Sequence, residues 1–231
     1  MPVLRQLPRW AWFGTGVLAF IAGLVNAVGY LGFRHQSISN MTGNGSLLGI
    51  AIGKADGGET LHWALAIAAF VLGSLLSGSI VQQSTLKLGR RYGAALTLES
   101  LLLFAAIPFL DAANPSGLYL ASVAMGLQNG MVSAYSGAVI RTTHVTGIFT
   151  DLGIYLGHLL RGLPVDLLRL RVCIVVASTF IFGSAIGALL FDRLQDHALL
   201  IPAALTGICG LGYSLYRQYS LAREPRDQSS P

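Results

Sequence analysis

The sequence predicts an all-α integral membrane protein on three grounds: its composition, the lengths of its apolar stretches, and a polar pattern that occurs twice. Of the 231 residues, 53% are hydrophobic and 11% are charged. A soluble domain carries about 25% charged residues, so this chain is far too apolar to be one. We therefore expect a single polytopic domain over residues 1–231, in contact with a lipid bilayer.

Eight apolar stretches follow one another along the chain. Their approximate limits are 11–33, 41–53, 61–82, 93–110, 117–140, 147–160, 171–192 and 198–216. Six are close to the length of about 20 residues that a transmembrane helix needs. The stretches 41–53 and 147–160 are too short for a hydrocarbon core of about 30 Å, so we expect broken or re-entrant segments there, with spanning as the alternative.

A polar break precedes each short stretch, and the pattern around the breaks recurs. Thr42-Gly43 corresponds to Thr146-Gly147, and each pair is followed five residues later by Leu-Gly. Four such matches occur in the same order, at offsets of 103, 104, 110 and 109 residues. This pattern predicts two internal repeats, at about 11–110 and 117–216. Because Gly-Leu-x-Asn at 23–26 recurs at 126–129, the first stretch is expected to be a membrane helix and not a removable leader.

The basic residues favour six crossings with both termini in the cytoplasm. If only the six long stretches cross, Arg34, Lys54 and Arg193 lie outside, and the other twelve of the 15 Lys and Arg residues lie inside. Eight crossings would divide them nine to six, a weak bias by the positive-inside rule. Three crossings per repeat is an odd number, so the second repeat would be inverted, an arrangement common in transporters.

The two breaks are the first candidate site. Each would lie at the N-terminus of a half-helix, where free N–H groups and the positive end of the helix dipole favour an anionic or polar ligand. The residues predicted to bind a solute are Asn26, Thr42, Gly43, Asn44, Gln128, Asn129, Thr146 and Gly147. The alternative is purely structural: helix capping, glycine packing, and amides bonded within the protein.

Two carboxylates within the apolar stretches are candidates for proton coupling. Asp151 and Glu99 qualify because an intramembrane carboxylate generally marks a proton or ion pathway. Asp151 also suits the first turn of a half-helix through the dipole alone, and Glu99 could be hydrated near the cytoplasmic end. Arg34 and His35 precede the first break, and Arg141 and His144 precede the second. These pairs either attract anions to each mouth or mark the membrane interface.

The motifs of other functional classes are missing from the sequence. It contains no P-loop, no GxSxG, no HExxH and no paired Cys or His spacing for a metal. We therefore expect no enzymatic activity, no cofactor, no metal and no nucleic-acid partner. Small residues four apart, at Ser74 with Gly78 and at Gly183 with Gly187, favour close helix packing and leave a homodimer open.

Residues 23–30, Gly-Leu-Val-Asn-Ala-Val-Gly-Tyr, and the run Met41-Thr42-Gly43-Asn44 resemble a bacterial family. They look like the YoaK family, a membrane domain of unknown function, and the likeness covers roughly residues 12–215. The resemblance implies a bacterial inner-membrane protein with about six helices, and supplies no substrate. Many relatives are expected to have an acidic residue where this chain has Asn26. Any proton coupling by that carboxylate would therefore be missing here.

These patterns favour a small secondary transporter or channel-like permease for a small anionic or polar solute, bound between the two breaks. The alternative is a scaffold or sensor that transports nothing, in which the polar centre only fixes the fold. An intramembrane enzyme would need converging titratable groups, which the sequence does not offer. A hydrated path to Thr42 and Thr146 would distinguish the permease from the scaffold.

Overall fold

The computed structural model describes residues 9–32, 34–81, 91–136 and 141–223. Within these ranges the chain forms eight α-helices, with a 3₁₀ turn, Gln195–Leu199, before the last one. The helices are α1 (Arg9–Leu31), α2 (Met41–Gly53), α3 (Gly57–Ile80), α4 (Arg91–Asp111), α5 (Ser116–Ser136), α6 (Val145–Leu160), α7 (Leu167–Leu194) and α8 (Leu200–Arg223). No strand occurs in these ranges, in agreement with the all-α prediction.

Capping residues decide where two of the long helices begin. The side chain of Asp56 accepts a hydrogen bond from the N–H of Glu59 at 3.0 Å, and α3 starts at the next residue after Asp56. The side chain of Asp166 likewise accepts from two N–H groups in the first turn of α7. Such N-caps satisfy the donors that the first turn leaves free. Both helices therefore begin four residues before their apolar stretches.

Four stretches of the described chain are long and apolar enough to cross a membrane. They are Trp12–Leu31, Gly57–Ile80, Arg91–Asp111 and Leu167–Tyr216. The last has 50 residues and contains α7 and most of α8. Large apolar side chains point outward from these helices; Leu75, Leu189 and Leu215, for example, are 60–65% exposed. Apolar outer surfaces on long helices are what contact with lipid requires, so the chain is a multi-pass membrane protein.

The remaining helices differ from these four stretches. α2 and α6 are short, with 13 and 16 residues. α5 is largely buried among its neighbours and carries the buried amide of Gln128. The end of the predicted stretch 117–140 lies outside the described residues, at 137–140. The basic segment 82–90 and the two ends, 1–8 and 224–231, on which the prediction of cytoplasmic termini depends, lie outside them too.

Two helix pairs form the frame of the fold: α1 with α7, and α3 with α5. Glycines allow both pairs to pack at backbone distance. A Cβ on Gly23 would overlap the carbonyl of Phe180, and a Cβ on Gly183 would overlap the carbonyl of Phe20. Ser184 Oγ also donates to the carbonyl of Gly23 at 3.1 Å. Small residues at a helix crossing have this effect in membranes because they let backbones approach closely.

The α3–α5 crossing uses the same residue types. A Cβ on Gly126 would overlap the carbonyl of Phe70, and a Cβ on Gly73 would overlap that of Val123. Ser74 Oγ donates to the carbonyl of Gly126 at 3.1 Å, the same length as the serine bond in the α1–α7 pair. α2 packs against α3, α6 packs against α7, and α4 packs against α5 and α8. Thus α2 packs on the α3–α5 pair, and α6 packs on the α1–α7 pair.

Candidate functional site

The N-terminal residues of α2 and α6 both line a cavity of about 630 Å³. Thr42 from α2 and Thr146 from α6 line it, with Asn26 from α1 and Asn129 from α5. Four of the predicted solute-binding residues therefore share one wall. Of the described residues on that wall, Arg141 is the single Lys or Arg, and none is acidic. A cavity with this lining favours an anionic or polar molecule over a cation.

The N-terminus of α2 is closed by its own residues. Asn40 Oδ1 accepts from the N–H of Gly43 at 3.1 Å, and the N–H of Met41 donates to the carbonyl of Ser39 at 3.0 Å. Asn26 fixes the same stretch from α1. Its Nδ2 donates to Ser39 Oγ at 2.7 Å and its Oδ1 accepts from the N–H of Ser39 at 2.8 Å. Since Nδ2 also donates to a carbonyl in α1, Asn26 ties the break in place and has little capacity left for a solute.

The N-terminus of α6 is more open. His144 occupies the cap position, but its side chain accepts no hydrogen bond from the first turn. The helix therefore begins with N–H groups that precede any intrahelical acceptor. Arg141 lies three residues earlier, on the cavity wall, and it has no ion pair or hydrogen bond within the described ranges. Among the described residues, this end of the cavity therefore combines an unpaired cation with the positive end of a helix dipole.

On α5, two neighbouring amides, Gln128 and Asn129, have different roles: the first bonds within the protein and the second lines the cavity. Gln128 Nε2 donates to Thr142 Oγ1 and to the carbonyl of Leu18, each at 3.0 Å. Gln128 thus fixes Thr142, in the segment before α6, and neither residue lines the cavity. Asn129 lines the cavity, and its Oδ1 has no hydrogen-bond partner among the described residues. Asn129 matches Asn26 in the sequence pattern, but its Oδ1 lacks the kind of hydrogen bond that Asn26 Oδ1 accepts from Ser39.

Four predicted binding residues do not line the cavity: Gly43, Asn44, Gln128 and Gly147. The two glycines make room for the cap residues. A Cβ on Gly43 would come within 2.8 Å of the Asn40 amide, and one on Gly147 would press against the His144 ring. Asn44 is buried, and its Nδ2 has no partner in the described chain.

Neither residue predicted to couple protons lies on the cavity wall. Asp151, on α6, is exposed. Glu99 is fully buried in α4, where both carboxylate oxygens lack a hydrogen-bond partner among the described residues. The neighbouring Ser100 donates to the carbonyl of Ala203 in α8 at 2.7 Å, so Glu99 lies near the α4–α8 contact. Proton coupling through either carboxylate stays a prediction.

Sequence reasoning missed one buried polar cluster beside the cavity. His62, on α3, is 3% exposed. Its Nδ1 lies 2.8 Å from the hydroxyl of Tyr119, and its Nε2 lies 3.0 Å from Oε1 of Gln36. Those partners are 57 and 26 residues away in the chain, so no local pattern connects them. The available signal was a histidine within an apolar stretch, which is rare and usually functional.

The described residues contain no group of three or more His, Cys, Asp or Glu side chains that could hold a metal ion. Residues 15–212 match a family described as a protein of unknown function, DUF1275. The UPF0700 transmembrane protein YoaK from Bacillus subtilis (strain 168) is 33% identical over 141 residues. That alignment covers 59% of this chain and 63% of the relative, so the chain matches less than two thirds of that protein's length. No solved structure matches the chain.

The family match includes both polar breaks, the cavity wall and the His62 cluster. The residues behind the earlier resemblance, at 23–30 and 41–44, lie inside it as well. The chain therefore belongs to the DUF1275 family, the YoaK-like membrane proteins.

Proposed function

We propose that the protein is a small secondary transporter or channel-like permease whose solute binds in the cavity between α2 and α6. The observation that carries the proposal is this cavity, which is lined by the N-terminal residues of two helices and by Arg141, a cation that has no counter-ion within the described chain. Interrupted helices at membrane depth are tolerated where they are buried in protein or line a wet cavity. The two breaks border a cavity here, and in many transporters broken helices form the binding site.

A small anion with an apolar part suits this cavity best. Its volume of about 630 Å³ falls within the range of roughly 300–1,000 Å³ typical of small-molecule sites. Arg141 and the first turn of α6 supply positive potential, and no carboxylate on the described wall opposes it. Phe70 and Phe180 add apolar surface from the two helix pairs of the frame. The proposal includes no catalysis, cofactor or metal, and it leaves a homodimer as a prediction.

The proposal includes six crossings arranged as two inverted repeats, in a bacterial inner membrane with both termini in the cytoplasm. The paired contacts support only the repeat within this arrangement. Ser46 Oγ donates to the carbonyl of Thr42 at 3.1 Å, and Thr150 Oγ1 donates to that of Thr146 at 3.0 Å. The two frame crossings also share their glycine and serine contacts. Equivalent bonds at equivalent offsets are what a duplicated unit would retain.

Single cysteines at Lys54 and Arg161 test the topology. Both residues are exposed and follow the ends of the short helices, α2 and α6. In a background without Cys173 and Cys209, Lys54→Cys should react with an impermeant thiol reagent in intact cells, and Arg161→Cys should not. Six crossings put these positions on opposite sides of the membrane, whereas eight put both inside. Labelling of neither cysteine, with both reactive after lysis, would rule out the inverted arrangement.

Reconstituted vesicles test transport. We would place them in potassium nitrate, lactate or phosphate with valinomycin and follow anion entry by osmotic swelling. At least one salt should enter faster than into protein-free vesicles, and Arg141→Gln should slow that entry about tenfold or more. That estimate follows from hydrogen bonds to charged groups, which contribute roughly 1.5–3 kcal/mol. Arg161→Gln is the matched control, because Arg161 does not line the cavity.

The scaffold remains the competing function, and one observation favours it: the hydrogen bonds of Asn26 are all made within the protein. Equal swelling rates in protein-free and reconstituted vesicles for all three salts would support the scaffold. Equal rates for the two arginine variants, with transport present, would remove Arg141 from the binding site.

A further inference from the structure

The two breaks contribute matching positions to the cavity wall. The lining positions are 37 and 39–42 in the first break, and 141 and 143–146 in the second. The offset between them is 104 residues throughout. The position left out of each set, Ile38 in the first break and Thr142 in the second, is buried in both. The two breaks therefore present corresponding residues to one cavity.

One of these matches changes the charge of the wall. Arg141 in the second break corresponds to Ser37 in the first, and both line the cavity. The first break does have an arginine nearby, Arg34, but Arg34 is not on the described wall and it pairs with Glu59 at 2.8 Å. The described wall therefore has a permanent cation at the second break and a neutral hydroxyl at the equivalent place in the first.

The two breaks border different parts of the cavity. α2 packs on α3 and α6 packs on α7, and the two short helices, both fully described, do not contact each other. Their first turns also differ, because Asn40 Oδ1 accepts from the N–H of Gly43, whereas the first turn of α6 receives no side-chain cap. A carboxylate beside α6 therefore has a cation and uncapped N–H groups to bind. A carboxylate beside α2 has no cation on the described wall and meets a turn that is already capped.

The rest of the wall suits an uncharged part of a solute. Phe70 and Phe180, which correspond at an offset of 110 residues, line the cavity from α3 and α7. Met41 and Val145 add apolar side chains from the breaks themselves. A second carboxylate among such groups would lose its water without gaining a partner, which is costly for an ionised group. The wall therefore accommodates one negative charge and an apolar remainder.

We infer that the solute of this cavity is a small monocarboxylate, whose carboxylate binds Arg141 and whose uncharged part lies against the two phenylalanines and the first break. Ser37 is then a specificity-determining residue, because it leaves a second carboxylate without a cation and so excludes dicarboxylates. This inference rests on the proposed function and names the substrate class of the same cavity. It predicts that a cation added at Ser37 extends the accepted solutes from one charge to two.

Stabilisation of the purified protein by ligands tests the substrate class without any flux. We would measure the unfolding temperature in detergent against the concentration of butyrate or succinate, and of hexanoate or adipate, two pairs matched in chain length, at constant ionic strength. The native protein should bind the monocarboxylate of each pair about tenfold or more tightly than the dicarboxylate, because a charge that lacks its partner loses at least that factor. Arg141→Gln should lose the stabilisation by the monocarboxylates and provides the baseline.

A gain of binding provides the sharper test. Ser37→Arg places a second arginine at the position equivalent to Arg141, and it should raise the affinity for the dicarboxylate relative to the monocarboxylate about tenfold or more. Ser37→Gln is the matched control, because glutamine is also long and polar but carries no charge, and it should keep the native preference. The ratio in the native protein tests the inference even if Ser37→Arg does not fold.

Equal affinity of the native protein for the two members of each pair would overturn the inference. An unchanged preference in folded Ser37→Arg, an equal change in Ser37→Gln, or no stabilisation by either monocarboxylate would overturn it too. Transport itself is tested by the swelling of vesicles, so the two failures are distinguishable. Entry of nitrate or phosphate without binding of any carboxylate would leave the permease standing and reject the monocarboxylate.

Discussion

The two short helices reach the same cavity, but their N-termini are completed differently. At α2, Asn40 caps the first turn and Asn26 fixes the residue before it. At α6, His144 provides no cap, and Arg141 lies on the wall without a partner in the described chain. Within the described chain, the first turn of α2 receives a side-chain cap, whereas the first turn of α6 receives none. The comparison teaches that two short helices bordering one cavity can differ in whether the protein caps their first turn.

The largest loss of stability is expected at the glycine crossings, where the α1–α7 and α3–α5 pairs have the same kind of contact. Gly23→Ala and Gly126→Ala each put a methyl group against a carbonyl of the partner helix. Overpacking generally costs about 1–3 kcal/mol, and we expect the upper end because a backbone carbonyl cannot rotate away. Both variants should lose monodisperse protein and show a lower unfolding temperature in detergent.

Gly49→Ala on α2 is the control for these crossings, because no described atom lies within 4 Å of its Cβ position. It should behave like the native protein. A variant at one crossing that is as stable as Gly49→Ala would show that the two halves differ in their frame as well as at the cavity.

A smaller effect should separate the two asparagines that match in sequence. Asn26→Ala leaves the N–H and hydroxyl of Ser39 without their partner, and an unsatisfied buried group costs about 1–3 kcal/mol. Asn129→Ala removes a side chain whose Oδ1 has no partner in the described chain, so its free energy of unfolding should change much less. Thermal unfolding of the two purified variants measures the difference. Equal destabilisation would mean that Asn129 also has a structural role.

The smallest effect concerns the caps themselves. Asn40→Ala should destabilise the first turn of α2 by about 1 kcal/mol, the usual value of an N-cap. His144→Ala should leave α6 nearly unchanged, since His144 makes no cap bond. Hydrogen exchange at the first-turn amides of the two helices provides the measurement. Faster exchange in α6 of His144→Ala, to the extent seen in α2 of Asn40→Ala, would contradict the difference between the two ends.

Much of the fold follows from local sequence signals. The short stretch predicted at 41–53 is a helix with those limits, and the other, predicted at 147–160, begins two residues earlier. In both cases the polar residues before the apolar stretch indicate where the helix begins. α8 continues to Arg223, past the predicted end at 216, because a helix can extend beyond its apolar stretch into polar residues. Hydropathy reports the part of a helix that suits lipid, and caps or propensity set its ends.

The site was predictable only in part, because its bonding depends on distant neighbours. The repeated pattern selected Asn26, Thr42, Asn129 and Thr146, and these four residues line one cavity. It could not show that Gln128, and not Asn129, makes the structural bond, since one acceptor of Gln128 is 110 residues away. His62 was missed for the same reason. A sequence pattern identifies which positions correspond, while tertiary contacts decide which of them keep free hydrogen-bonding groups.

The glycine crossings also restrict the degrees of freedom of the cavity. Sliding α1 along α7 by one residue would bring a larger side chain against the carbonyl that now faces Gly23, and would break the bond from Ser184. A change in the crossing angle preserves both contacts. The same holds for α3 and α5 at Gly126 and Ser74. These contacts oppose translation within each helix pair more than rotation, so any change in the shape of the cavity is expected to be angular.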